Sequence, residues 1–205
     1  HRTYLLGDPP DYEPGPEKSI AHIAAREGRD PYDLIYDRLL DRGGREFLMR
    51  TILSYSDGDL EAVRAMLEHP TSAFGLGDGG AHCAAICDAS MTTYLLSHWT
   101  RDRARGPKLP LSWAVRKMTR DTAALYGLND RGVLAPGKKA DVNLIDYANL
   151  GLEAPEMVHD LPAGAGRLIQ RARGYVATLV SGEVISENGE ETGARPGKLI
   201  RGARG

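Results

Sequence analysis

The chain has 205 residues, enough for one large domain or two small ones around a sizeable core. Hydrophobic residues make up 41%, charged residues 26%, and the formal net charge is −2; these values exclude a basic nucleic-acid-binding surface and an acidic, disordered chain. Apolar runs break within about ten residues and no signal-peptide pattern opens the chain, so a membrane partner is not expected and the protein reads as cytoplasmic.

The chain opens on His1-Arg2-Thr3 and reads as part of a longer protein. Prolines make 7–16 a loop. A helix is expected over 17–26, with Ile20, Ile23 and Ala24 on one face and Gly28 as its stop. The next start signal is clearer: Asp30 as N-cap and Pro31 at the first helical position lead into Leu34, Ile35, Leu39 and Leu40 at helical spacing, ending at Gly43 and Gly44. A strand over 47–53 follows. Asp57 is expected to cap a helix carrying Leu60, Val63 and Leu67, which Pro70 ends. A strand then runs through Ser72, Ala73 and Phe74 into Asp78.

Beyond it the pattern predicts a helix over 84–99, a basic loop over 101–108, and a helix over 111–125. Ser112 is the expected cap of the last, with Ala114, Val115, Met118 and Ala123 inward and Gly127 as its stop. This alternation is that of an α/β architecture, in which the C-terminal ends of strands carry the chemistry. After Asp130 the character changes. Short strands at 140–146, 175–180 and 184–185, with a turn at Ser181 and Gly182 and a loop holding Pro155 and Pro162, predict a small β unit. The 195–205 tail reads as a solvated arm.

Chemistry concentrates at Asp78, set among Gly75, Gly77, Gly79 and Gly80, which let the backbone turn sharply and a ligand approach. Three readings remain open from spacing alone. Gly75-x-Gly77-x-x-Gly80 fits a dinucleotide fingerprint, but no third element of a βαβ unit follows. Asp78 could cap the next helix through an Asx-turn. It could also be a general base at a strand's C-terminal end. His82, Cys83 and Cys87 lack a second Cys/His pair and read as a histidine beside small buried thiols, with no disulfide framework. His22, His69, His98 and His159 are scattered, with no His-x-His or His-Glu-x-x-His arrangement.

Four stretches resemble metal-dependent amidohydrolases of the D-aminoacylase (N-acyl-D-amino-acid deacylase) group. They are Gly77-Asp-Gly; Leu111-Ser-Trp-Ala-Val-Arg-Lys-Met-Thr with Thr122-Ala-Ala-Leu-Tyr-Gly-Leu; Asp130-Arg-Gly-Val-Leu-Ala-Pro-Gly-Lys-Lys-Ala-Asp-Val-Asn-Leu-Ile-Asp; and Val180-Ser-Gly-Glu-Val-Ile with Gly193-Ala-Arg-Pro-Gly-Lys-Leu-Ile-Arg. The resemblance implies the C-terminal part of a (β/α)8 TIM barrel over 1–129, and strands of a small β-sandwich with a tail over 130–205. Asp78 falls on the family's aspartate after the eighth barrel strand. There it would take a proton from the attacking water and return it to the departing amine, with zinc as the cofactor and Asp78 as a secondary metal ligand. The family's other zinc ligands, a cysteine and histidines, have no counterpart in these 205 residues. Its His-Pro-Arg after the aspartate is replaced here by Cys83-Ala-Ala-Ile-Cys-Asp-Ala-Ser.

The expected function is therefore that of the C-terminal portion of a zinc-dependent hydrolase acting on a non-peptide C–N amide bond, an N-acyl-D-amino acid being the expected small-molecule partner. The chain alone is expected to be inactive, not to retain zinc, and to self-associate or pair with the missing half of the barrel. The alternatives are a nucleotide-binding module on the Gly75–Gly80 turn and a noncatalytic structural piece.

Overall fold

A computed structural model describes residues 2–75, 77, 80 and 82–201. The chain mixes helices and strands and forms two compact units. One comprises His1–Ser72, Gly80–Cys87 and Glu153–Arg171; the other comprises Ala73–Gly79, Asp88–Leu152 and Ala172–Gly205.

The first unit opens with a strand that the sequence reading did not expect. β1 (Thr3–Leu5) pairs antiparallel with β2 (Leu48–Arg50), Tyr4 opposite Met49. A 3-10 turn over Pro16–Lys18 precedes α1 (Ile20–Glu27), whose start lies later than expected because Ser19 is extended and its hydroxyl accepts the His22 N–H at 3.3 Å. Gly28, at φ 66°, ends the helix as expected. α2 (Pro31–Gly44) begins where the sequence said it would, the Asp30 carboxylate accepting the N–H groups of Tyr32 at 2.8 Å and Asp33 at 3.3 Å. Ile20, Ala24 and Leu34 form the buried core of this unit, with Leu5, Ile23, Ile35 and Leu48 against it. Each aliphatic side chain fully buried there is worth roughly 2 kcal/mol of transfer free energy.

Leu39 and Leu40 are exposed, and the helical backbone breaks just beyond them at Asp41, Arg42 and Gly43. α3 (Glu61–Glu68) is not capped by Asp57. Asp59 accepts the Glu61 N–H at 2.9 Å, and the buried Glu13 carboxylate reaches in from the 7–16 loop to accept the Leu60 N–H at 3.1 Å. A side chain distant in sequence therefore satisfies a helix-end donor.

In the second unit the helix expected over 84–99 forms further on. A 3-10 turn over Asp88–Ser90 leads into α4 (Met91–Tyr94), and π-helical turns continue from Leu95–Asp102. Arg103, in the stretch read as a basic loop, is buried. Its guanidinium lies 4.6 Å from the Trp99 ring centroid and donates to the Pro107 carbonyl at 3.0 Å. The 111–125 helix forms as α5 (Leu111–Arg116), a π-helical turn over Lys117–Asp121, and α6 (Thr122–Leu125). Its N-cap is Pro110 rather than Ser112, and no side chain bonds the cap. Ala114 and Ala123 point inward as expected; Val115 does not.

β3 (Val142–Ile145) is followed by β4 (Gly151–Leu152). The stretch read as a loop then holds a hairpin of the first unit, β5 (Glu156–Val158) with β6 (Arg167–Ile169), beyond which β7 (Ala172–Arg173) pairs with β4. Arg167 grips Asp160 through two hydrogen bonds of 2.7 Å across the hairpin loop. β8 (Tyr175–Val180), β9 (Glu183–Glu187) and β10 (Glu190–Glu191) complete a four-stranded sheet in the order β10-β9-β8-β3. Ser181 and Gly182 make the expected tight turn, both at positive φ. All strand pairs among the described residues are antiparallel, so the parallel barrel strands implied by the resemblance are not among these pairings. Among the described residues no helix is long and apolar enough to cross a membrane.

The 130–146 stretch is held by charge. Arg131 donates to Asp130 at 2.9 Å and to Asp141 at 3.4 Å, and Lys139 lies 3.4 Å from Asp130. The hydrogen bond from Arg131, helped by the charge of Lys139, lowers the Asp130 carboxyl from its ordinary value to about 2. A depressed folded-state value means that this contribution to stability is complete above the ordinary carboxylate range and is lost as pH falls through about 2. An NMR titration should place the Asp130 carboxyl midpoint near 2, and Arg131→Leu should move it up towards 3.8; an unchanged midpoint in the variant would refute the cause given.

Candidate functional site

Asp78 lies outside the described residues, as do Leu76, Gly79 and Ala81; the site is therefore read from what flanks it. Residues 72–75 form no strand, contrary to expectation: an extended segment needs a ladder partner, and among the described residues no strand pairs with this one. The Thr122 hydroxyl donates instead to the Phe74 carbonyl at 3.4 Å. Gly77 packs against the turn that precedes α4: a Cβ there would come within 3.3 Å of the Ala89 Cα. A side chain at 77 would thus require the Ala89 backbone to give by a few tenths of an ångström.

The dinucleotide reading loses both of its supports. No strand precedes the glycines among the described residues, and no helix opens directly after them; the next helical residues are Asp88–Ser90. The residues after the run form a turn in the first unit. His82 sits at φ 48°, and its carbonyl accepts N–H groups from Ala85 at 2.7 Å and Ile86 at 3.0 Å. The Leu168 N–H donates to the Cys83 carbonyl at 2.7 Å, fastening this turn to β6. Cys83 and Cys87 are half-buried and neither lies in a helix, where the sequence suggested buried thiols sharing a helix face. The hairpin that anchors them went unread; oppositely charged Asp160 and Arg167 on either side of Pro162 were the available signal.

The 130–146 motif is structural in its described part. Gly132, at φ 85°, lies so close to the 111–125 helix that a Cβ would come within 3.0 Å of Ala123 Cβ, Arg120 Cα and the Thr119 carbonyl. Asp141 accepts the Ser181 N–H at 2.8 Å, and the Gly182 N–H donates to the Ala140 carbonyl at 2.9 Å. Two of the stretches singled out in the sequence, 130–146 and 180–185, thus hold each other.

Residues 7–186 match the model of the amidohydrolase family. The chain belongs to that family. An uncharacterised protein of Mycobacterium tuberculosis is 31% identical over 180 residues, covering 84% of this chain and 29% of that protein. An N-acyl-D-aspartate deacylase of Alcaligenes xylosoxydans xylosoxydans is 40% identical over 93 residues, 45% of this chain and 17% of that enzyme. The D-aminoacylase of the same organism is 28% identical over 193 residues, 92% and 35%. A solved D-aminoacylase structure superposes with a TM-score of 0.49 at 25% identity, covering 95% of this chain and 36% of that one. The resemblance to the D-aminoacylase group read from the motifs is borne out, and this amidohydrolase chain spans under a third of the length of its mycobacterial relative.

The described residues do not fit a zinc site: among them no three His, Cys, Asp or Glu side chains come together to hold a metal ion. Structural support for the motif can be tested directly. Gly132→Ala should cost about 1–3 kcal/mol from clash and positive φ, whereas Gly75→Ala, with no described atom within 4 Å of the added Cβ, should change stability by less than about 0.5 kcal/mol. Urea denaturation measures both, and equal effects would refute the close-approach argument.

Proposed function

We propose that this chain is the C-terminal portion of a hydrolase that cleaves the amide C–N bond of N-acyl-D-amino acids. The observation that carries the reading is the family match over residues 7–186, and the likeness to an N-acyl-D-aspartate deacylase supports the proposed substrate class. Asp78 is the residue assigned to the chemistry. Its carboxylate would accept a proton from the attacking water and return it to the leaving amine, one group serving as base and then acid. Zinc is the proposed cofactor of the complete enzyme, held by residues other than those described, and no step is derived through it.

In the complete enzyme, Asp78→Asn should lower turnover of N-acetyl-D-aspartate by about 10²–10⁴ while zinc content and melting temperature stay near those of the parent. Unchanged turnover would remove Asp78 from the mechanism, and equal activity on the L-enantiomer would overturn the substrate class.

The chain by itself is proposed to be inactive and to pair, either with another copy or with further barrel elements. Support comes from large apolar side chains left in water, among them Tyr32, Ile52, Leu53, Tyr126 and Leu134, each more than 70% exposed. Sedimentation equilibrium of the 205-residue chain should show self-association; a single monomeric species up to high concentration would refute pairing with itself.

A further inference from the structure

We propose that Asn188-Gly189, at the tip of the last hairpin, is a site of spontaneous backbone modification: it closes to a succinimide and reopens as aspartate or isoaspartate. This inference is independent of the hydrolase reading, and the site lies beyond the 7–186 stretch that matches the family. Asn188 and Gly189 are the two central residues of the turn joining β9 to β10, at φ 50° and 87°, and both are exposed. Positive φ at both central positions marks the turn that fits the twist of a hairpin, and Asn-Gly is the pair that enters it with least strain. The same pair is open to attack on the asparagine side chain by the next peptide nitrogen, because glycine sets no Cβ beside that nitrogen. A Cβ added at Gly189 would meet nothing within 4 Å, so the approach is clear on that side as well.

Neither reacting group is tied. Among the described residues the Asn188 side chain makes no hydrogen bond and the Gly189 N–H donates to no backbone carbonyl, whereas the Asn188 N–H is held by the Val176 carbonyl at 2.9 Å. Two other asparagines give the contrast. Asn143 accepts from the Thr178 hydroxyl at 2.9 Å, Asn149 donates to Asp146 at 2.7 Å, and each precedes a leucine. Attack at Asn188 requires it to leave the left-handed region, which swings β10 off β9. β10 is a two-residue strand at the edge of the sheet, exposed at both positions, and such an edge opens at low cost.

The atoms balance without an oxidant or reductant. The Gly189 nitrogen bonds to Asn188 Cγ, and the side-chain nitrogen leaves as ammonia with the proton that the Gly189 nitrogen gave up. Water then adds to one carbonyl of the cyclic imide and breaks its C–N bond. Opening at the backbone carbonyl gives isoaspartate; opening at the side-chain carbonyl gives aspartate. Isoaspartate puts an extra methylene into the backbone of a two-residue turn and sets a carboxylate beside Glu187 and Glu190. The pairing beyond the turn, where the Thr192 N–H donates to the Ile185 carbonyl at 3.0 Å, should then be lost.

The 205-residue chain is incubated in mildly alkaline buffer and followed by peptide mapping, with an isoaspartate O-methyltransferase and labelled S-adenosylmethionine as the probe. Replacement of NH2 by OH and methyl labelling should appear first in the peptide holding Asn188. The rate should lie within about thirtyfold of that in the urea-unfolded chain, equivalent to about 2 kcal/mol for opening the edge. Asn143 and Asn149 should lag, and Asn188→Gln should abolish labelling of that peptide. By NMR, Thr192 should remain beside Ile185 in Asn188→Asp, which adds the charge on a normal backbone, and should part from it in the isoaspartate form. Earlier conversion of Asn143 or Asn149, a rate more than thirtyfold below that of the unfolded chain, persistent labelling in Asn188→Gln, or the same Thr192 position in the isoaspartate and Asn188→Asp forms would each overturn the inference.

Discussion

Arg101 ends the π-helical turns of the second unit and supplies the contact on which that unit depends. Its guanidinium donates to the carbonyls of Tyr147, Ala148 at 3.1 Å and Leu150 at 2.6 Å, and forks onto the Asp102 carboxylate at 2.6 and 2.7 Å. Those carbonyls belong to the connection between β3 and β4, and Leu150 there is fully buried. A planar fork of N–H donors can serve several acceptors in fixed directions; an ammonium cannot do so in the same geometry. Two hydroxyl pairs reinforce the joint, Thr93 with Tyr175 at 2.8 Å and Thr100 with Tyr147 at 2.6 Å. Hydrogen bonding to Arg101 also holds the Asp102 carboxyl below its ordinary value.

The same concern with satisfying polar groups explains where chemistry-bearing residues end up. The glycine run does not enter a ladder among the described residues. It takes a hydroxyl donor from Thr122 at Phe74 and lies against Ala89 at Gly77. The residues that follow wind through a turn on the His82 carbonyl, and the Leu168 N–H joins the Cys83 carbonyl to β6. Cys83 and Cys87, four apart as on one face of a helix, lie outside any helix. The amidohydrolase signature over 130–146 serves in its described part as structure: Gly132 admits the 111–125 helix, and Asp141 fastens the turn at Ser181.

Local signals were read well where the physics is local. Asp30 and Pro31 start α2, Gly28 stops α1, Gly127 at φ 70° follows the 111–125 helix, and Ser181 with Gly182 turns β8 into β9. Ile20 and Ala24 fall inward because a 3.6-residue period is a property of the helix itself. The misreadings share another origin. Glu13 caps α3 from 47 residues away, β1 finds β2 across the whole of α1 and α2, and β5 with β6 occupy a stretch whose prolines suggested only a loop. None of these pairings leaves a trace in spacing.

The amino-acid sequence by itself determined the family, the cap that starts α2, the glycine stops of α1 and of the 111–125 helix, and the tight turn of the sheet. Each of these rests on side-chain chemistry or backbone conformation within a few residues. Tertiary structure alone decided that 72–75 is not a strand, that 84–87 is not part of a helix, that Arg103 is buried against Trp99, and that the cysteines are half-buried outside any helix. In each case the outcome was set by partners remote in sequence, because a backbone group or a charge leaving water must find its acceptor wherever the fold brings one.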